Sequence, residues 1–227
     1  MSSLSRPGTT ARKEPRAAAK MAPSASAHSV SHRSQDTGRV SVHRGGVPSE
    51  ILVGMNAWPA AEPLDAARVR LEPLTVQHAR EMVDVLALPA IYEHIGGAAP
   101  SAIQLEERYS RQVAGHSADG RQGWLNWIVR RRDTNEAIGF TQATLTCNGG
   151  NLAADVAWVV APRHQGVGFA TEAAKAMCGW LRSRGVGLLV AYISPANDAS
   201  IGVAHHLGMH FTEVIVDEEN RWECSLV

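Results

Sequence analysis

Regularly spaced apolar side chains begin at about residue 66 and continue to the end of the chain. "RVRLEPL" alternates apolar and polar positions and predicts a short strand. In "TVQHAREMVDVLA", Val76, Ala79, Val83 and Leu86 share one helical face, with Thr75 placed to cap it. "LPAIYEHIGGAAP" reads as a loop around Gly96, Gly97 and Pro100, and a second helix is predicted from Ser101 through "SAIQLEERYSRQVAGH". The strands "WLNWIVRRR" and "EAIGFTQATLTCN" follow, joined at "DTNE" as a hairpin.

After the turn "GGN" comes the most structured stretch, "DVAWVVAPRHQGVGFATEAAKAMCGWLRSRG". It predicts a strand over 155–160, a loop over 161–166 and a helix over about 167–184. Ala170, Ala173, Met177 and Leu181 form its buried stripe, and Gly185 caps it. "GLLVAYIS" predicts another strand, and "NDASIGVAHHLGM" a short helix stopped at Gly208. "HFTEVIVDEENRWECSLV" predicts a closing hairpin. Strand, helix, strand in the middle is a βαβ unit with parallel strands and a right-handed crossover. Hairpins on either side make the expected fold α/β, with a mixed, mostly antiparallel sheet.

Residues 1–54 break this pattern. The first fifty lack aromatic residues, are rich in Ser, Ala, Arg, Gly and Pro, and show no apolar period. Such a segment cannot bury enough surface to offset chain entropy, so a disordered basic tail is expected, with one domain over 55–227. The net charge of zero hides +5 on residues 1–50 against −5 on the rest. A solvated tail, an organellar transit peptide, a tether to nucleic acid or the ribosome, and a true start at Met55 all fit. Charge this dilute argues against a nucleic-acid partner. No apolar run suits a signal-peptide core or a membrane span, so no membrane partner is expected. Cys147, Cys178 and Cys224 are odd in number and widely spaced, which favours a reducing compartment, the cytoplasm by default.

Glycines at a helix start let backbone N–H groups approach an anion at the positive end of the helix dipole. Neither the dinucleotide GxGxxG nor a P-loop is spelled here. Val160 followed after four residues by Gln165, Gly166, Gly168 and Ala170 resembles the acetyl-CoA pyrophosphate loop of the GNAT N-acetyltransferases. "WVVAPRHQGVGFATEA" is similar to the Rim-type, ribosomal-protein N-terminal branch. Asn197-Asp198-Ala199-Ser200 and then Leu207-Gly208 match the family's next helix in order and offset. The local reading of Asn197 is a helix cap.

The resemblance covers about residues 66–227 and implies a GNAT fold with helices on both faces of the sheet. It implies that backbone amides of Gln165, Gly166, Val167, Gly168, Phe169 and Ala170 cradle the pyrophosphate of acetyl-CoA, the cosubstrate. Val159 and Val160 would offer main-chain groups to the pantetheine arm, and Asn197 would reach it from the other side. Arg163 and His164 stand nearby. The implied reaction is direct acetyl transfer to a primary amine, on a protein N-terminus or a small molecule, without an acyl-enzyme. The position where many relatives carry a Tyr acid is Ala204 here, so Ser200 is the expected acid. Asp155, where relatives often carry Glu, and Glu219, among Glu213, Asp217 and Glu218 on the last hairpin, are the expected bases. A non-catalytic acyl-CoA sensor is the alternative, and a homodimer stays open.

Other conspicuous residues have plainer readings. His205, His206 and His210 lack a neighbouring acidic ligand and read as surface, so no metal is expected. Trp124 and Trp127 should split between core and acceptor groove. Tyr92, Glu93 and His94 fall where the family meets its acceptor.

Overall fold

A computed structural model describes residues 58–226; the expectations for residues 1–54 lie outside the described residues. The strands are β1 (Leu64–Asp65), β2 (Val69–Pro73), β3 (Gln122–Arg131), β4 (Ala137–Asn148), β5 (Asn151–Val160), β6 (Val186–Ile193), β7 (His210–Val216) and β8 (Glu219–Ser225). They form one sheet in the order β1-β2-β3-β4-β5-β6-β8-β7. Only β5 and β6 run parallel; every other neighbouring pair is antiparallel. The sheet is therefore mixed and mostly antiparallel, as the sequence predicts.

Strand alternation divides the core between two faces. Leu125, Trp127 and Val129 turn to one side and pack with α4 (Phe169–Ser183) through Phe169, Ala173, Met177 and Leu181. Ala204 of α5 (Asp198–His206) joins that cluster. Ile128, between Trp127 and Val129, turns to the other side. There it meets α1 (Ala79–Val85), α2 (Tyr92–Ile95) and α3 (Ala102–Gln112) through Ala79, Met82, Tyr92, Leu105 and Tyr109.

Several boundaries differ from the periodicity. The first helix opens as a 3-10 turn over Val76–His78, which shifts its phase. Met82 and Val85 are thus buried beside Ala79 and Leu86, while Val83 is only half-buried. The "loop" after it holds a 3-10 turn, Pro89–Ile91, and α2. The strand expected from 155 starts at Asn151, because Gly149 (φ 58°) and Gly150 (φ 84°) close a two-residue hairpin onto β4. Packing also begins earlier than residue 66. Trp58 lies where a Cβ on Gly123 would be 2.6 Å from its ring, and the Glu62 carbonyl accepts from Trp127 Nε1 at 2.8 Å.

Gly139 lets β4 press closely against the end of β5. A Cβ there would stand 2.0 Å from the Val159 carbonyl oxygen and 2.9 Å from the Val160 Cα. Both neighbours are backbone and cannot swing aside. Gly139→Ala is expected to lower stability by roughly 3 kcal/mol through overpacking, read as a lower urea midpoint.

Candidate functional site

The site begins where two paired strands part. β5 and β6 pair from Leu152 with Val186 to Asp155 with Val190, and there the ladder stops. Each then follows its other neighbour: β5 stays with β4 to Val160, and β6 stays with β8 to Ile193. The two-residue turn makes Asn148 and Asn151 a hydrogen-bonded pair, and Ala161 N–H donates to the Ile138 carbonyl at 2.8 Å. Alternation between these points aims the main-chain groups of Val156, Trp158 and Val160 at the gap. The sequence reading is corrected here. Val160 faces the gap, but Val159 pairs with Phe140 and its N–H and C=O face β4; Trp158 takes its place.

The gap opens upward onto the glycine loop. Pro162–His164 forms a 3-10 turn, and the Gln165 N–H donates to the Pro162 carbonyl at 3.2 Å. Gln165 Nε2 donates to the Val160 carbonyl at 2.8 Å. Gln165 is thus engaged within the loop, and the cradle expected from 165 begins at Gly166. Gly166 (φ 76°) and Gly168 (φ 88°) both hold the left-handed conformation. At Gly166 a Cβ would meet nothing within 4 Å, so backbone conformation selects glycine there and the space above stays open. The helix starts at Phe169, two residues later than its periodicity suggests, because Gly168 sits outside it as the N-cap.

Glu172 N–H is the first to find an intrahelical acceptor, on Gly168 at 3.0 Å. The N–H groups of Phe169, Ala170 and Thr171 therefore point out of the helix end, together with the positive end of its dipole. This donor set fits a diphosphate, and the open β5 edge fits an amide-bearing chain laid along it. The residues present thus suit coenzyme A, which Gly166–Thr171 would hold at one end and Val156, Trp158 and Val160 would hold along its arm.

On the far side of the gap, Asn197 Oδ1 accepts from Ser200 N–H at 3.0 Å, so Asn197 caps α5. Ser200 is half-buried, one turn before the buried Val203 and Ala204, and so lies on the inward stripe of α5. Ala204, at the position where many relatives carry a tyrosine, is fully buried in the α4-side cluster.

Asp155 marks the point where the strands part, and its side chain lies on the sheet face opposite α4 and α5. Burial pushes its carboxyl above the ordinary aspartate range, and the Arg221 charge only partly offsets this. Arg221 is itself ion-paired with Glu223, two residues along β8 on the same face. Glu219 is buried at the start of β8 on the same face, beyond Asn220, which pairs with Ile193 at the far end of β6. The two candidate bases thus stand at opposite ends of the gap. Glu213, Asp217 and Glu218 are exposed and have positive φ.

The remaining expectations resolve by position. The Tyr92 hydroxyl donates to the Leu86 carbonyl at 2.8 Å inside the core, so Tyr92 is structural, while Glu93 and His94 are exposed. Trp127 is fully buried. Trp124 lines a shallow cleft on the α3 side with Gln112, Asn126, Gln142 and Thr144. His205 stacks edge-on against Trp222 at 5.0 Å and His206 bonds to the Gly202 carbonyl. Among the described residues no three metal-ligating side chains come together. Arg163 and His164 both turn to Glu136, at 2.7 and 3.4 Å. Sequence reasoning missed Arg68 and Glu172, which bind each other across 104 residues and brace the loop; no local pattern carries that signal.

The family model of the acetyltransferase (GNAT) domain matches residues 68–210, and the chain belongs to the GNAT acetyltransferase family. Membership implies acetyl-CoA-dependent acetyl transfer. The chain is 33% identical over 90 residues to the uncharacterized protein YkkB of Bacillus subtilis (strain 168). That match takes in 39% of this chain and 52% of YkkB, so the chain spans about half the length of that relative. Among solved structures, RimL, a ribosomal L7/L12 alpha-N-protein acetyltransferase in complex with coenzyme A, is similar with a TM-score of 0.61 at 14% identity. The similarity covers 72% of this chain and 98% of RimL. A GNAT-family acetyltransferase from Bacillus anthracis gives 0.58 at 14%, over 73% of this chain and 99% of that one. A putative one from Bordetella pertussis gives 0.55 at 23%, over 71% and 98%. At these identities the likeness is one of fold. Among the described residues no helix is long and apolar enough to cross a membrane.

The raised Asp155 carboxyl has a consequence for stability. On raising the pH, the unfolded chain releases this proton first, so stability falls until the folded carboxyl also ionises. Asp155→Asn removes that loss. Thermal melts are expected to place the variant above the wild type at pH 8 and level with it near pH 3, where both states of the wild type hold the proton.

Proposed function

We propose that this chain transfers an acetyl group from acetyl-CoA to a primary amine by direct attack, with a protein N-terminus as the acceptor it suits best. The observation that carries the reading is the alignment of two unpaired backbone surfaces. The outward N–H groups at the start of α4 continue into the open edge of β5. Acetyl-CoA supplies an acyl group activated as a thioester. From the loop, the β5 edge passes Val160, Trp158 and Val156 and reaches Asp155 after about 15 Å. A diphosphate held at Gly166–Thr171 thus directs the reactive end of the cofactor toward Asp155.

Each residue then has a defined task. A main-chain N–H on the β5 edge faces the carbonyl oxygen of the thioester and stabilises negative charge there. Asp155 accepts the proton that the attacking amine must lose; burial raises its affinity for protons, which favours that work. Ser200 donates to the departing thiolate. Glu219, at the far end of the gap, is the second candidate base. An α-amine, with a pKa of about 7.7–8.0, is neutral far more often at pH 7 than a lysine at about 10.4. A protein N-terminus therefore asks less of a single carboxylate. The RimL relative, by name, modifies the α-amine of a ribosomal protein, which supports the same acceptor.

The cysteines fit direct transfer. Burial pushes the Cys178 thiol up to about 12, Cys147 is exposed near the β4–β5 turn, and Cys224 lies on the sheet face away from Asp155. Ala204 in place of the usual tyrosine keeps an acyl-CoA sensor as the second reading.

Calorimetry with acetyl-CoA is expected to show binding by the intact protein and none by Gly168→Trp, whose indole fills the loop. Ser200→Ala should keep binding and lose roughly a hundredfold in CoA release with an amine acceptor. Absence of binding by the intact protein defeats the acetyl-CoA reading. Binding without turnover in the wild type leaves the sensor.

A further inference from the structure

Arg68 reaches the glycine loop from the other end of the chain. Its backbone is pinned at the start of β2, where its carbonyl accepts from Arg132 N–H at 2.9 Å. Its Nη1 donates to the Val167 carbonyl at 2.9 Å. Nε donates to Glu172 Oε2 at 2.7 Å, and the Arg68 and Val69 N–H groups hold Glu172 Oε1 at 2.5 and 3.3 Å. The guanidinium lies over the Phe169 ring, 4.9 Å from its centroid. Its Nη2 stands 3.3 Å from the point a Cβ on Gly168 would occupy. This nitrogen makes no hydrogen bond among the described residues, and the side chain is half exposed.

Other cations near the loop are turned elsewhere. Arg131, also over Phe169, is held in a two-point pair by Asp133. Arg163 is drawn to Glu136, and Arg132 donates to the Ala66 carbonyl. Glu172 poses the opposite difficulty, since a carboxylate in the first turn of α4 repels an anion arriving there. Burial would raise its carboxyl, but the hydrogen bonds from Arg68 outweigh this and hold it charged and engaged.

We propose that Arg68 is a direct ligand of the cofactor's diphosphate, with Nη2 as the donor, and that it also screens Glu172 from that diphosphate. This rests on the reading of Gly166–Thr171 as the coenzyme A loop. Arg68 thus supplies a formal positive charge that Gly166–Thr171 lack.

The test is calorimetry with coenzyme A and with 3′-dephospho-coenzyme A on wild type, Arg68→Ala and Arg68→Lys, with thermal melts to establish folding. Arg68→Ala should weaken both ligands by about tenfold to a hundredfold, as expected for a lost hydrogen bond between charged groups. Its salt dependence should be shallower than that of the wild type. Arg68→Lys keeps the charge without the fork and should fall between. It also serves if the alanine variant does not fold. Equal affinities across the variants overturn the proposal, as does a penalty present with coenzyme A but absent with the dephospho form, which assigns Arg68 to the 3′-phosphate. Wild-type protein that binds neither ligand defeats the loop reading instead, an outcome distinct from either.

Discussion

Everything at the site follows from the parting of β5 and β6 after Asp155 and Val190. Two parallel strands that cease to pair leave main-chain donors and acceptors without a strand partner. Among the described residues only the Val160 carbonyl of these is taken within the loop, by Gln165. Buried polar groups of this kind are costly unless something satisfies them. The fold accepts that cost because each strand is held elsewhere, β5 by β4 and β6 by β8. The open edge is therefore a rigid surface whose hydrogen-bonding capacity awaits an extended partner.

The loop above the gap is fixed from three directions. Gln165 ties it down to Val160, two left-handed glycines set its shape, and Arg68 with Glu172 joins it to β2. Little conformational freedom remains to be lost if an anion binds there, which favours binding by a short loop. The exposed partners of each ion pair add little stability by themselves. Their effect lies in position.

The two faces of the sheet divide the chemistry. The α4 face is filled with apolar side chains, including Cys178 and Ala204, and the start of its helix turns unpaired N–H groups outward. The opposite face holds Asp155, Glu219 and the Arg221–Glu223 pair along the same strands. Burial there raises the Asp155 carboxyl, while burial on the α4 face raises the Cys178 thiol. The gap lies between the two faces, with the outward N–H groups of α4 on one side and the Asp155 and Glu219 carboxylates on the other.

The order of elements, the βαβ unit and the glycine loop were legible in the sequence, since each depends on neighbours close along the chain: alternation, helical spacing, and glycines where φ must be positive. So were the N-cap role of Asn197 and the absence of a tyrosine at Ala204. The phase of the first helix was not, because a 3-10 turn at its start shifts every later side chain. Which of Trp158, Val159 and Val160 faces the gap was also hidden, because it depends on the register with β4, counted from the hairpin turn. Arg68 and Glu172 lie 104 residues apart and meet only because β2 crosses beside the start of α4. The sequence by itself determined the parts that local geometry makes. The tertiary structure alone decided which backbone edge is left unpaired and which distant charge stands over the loop, since both are set by pairing between segments far apart in the chain.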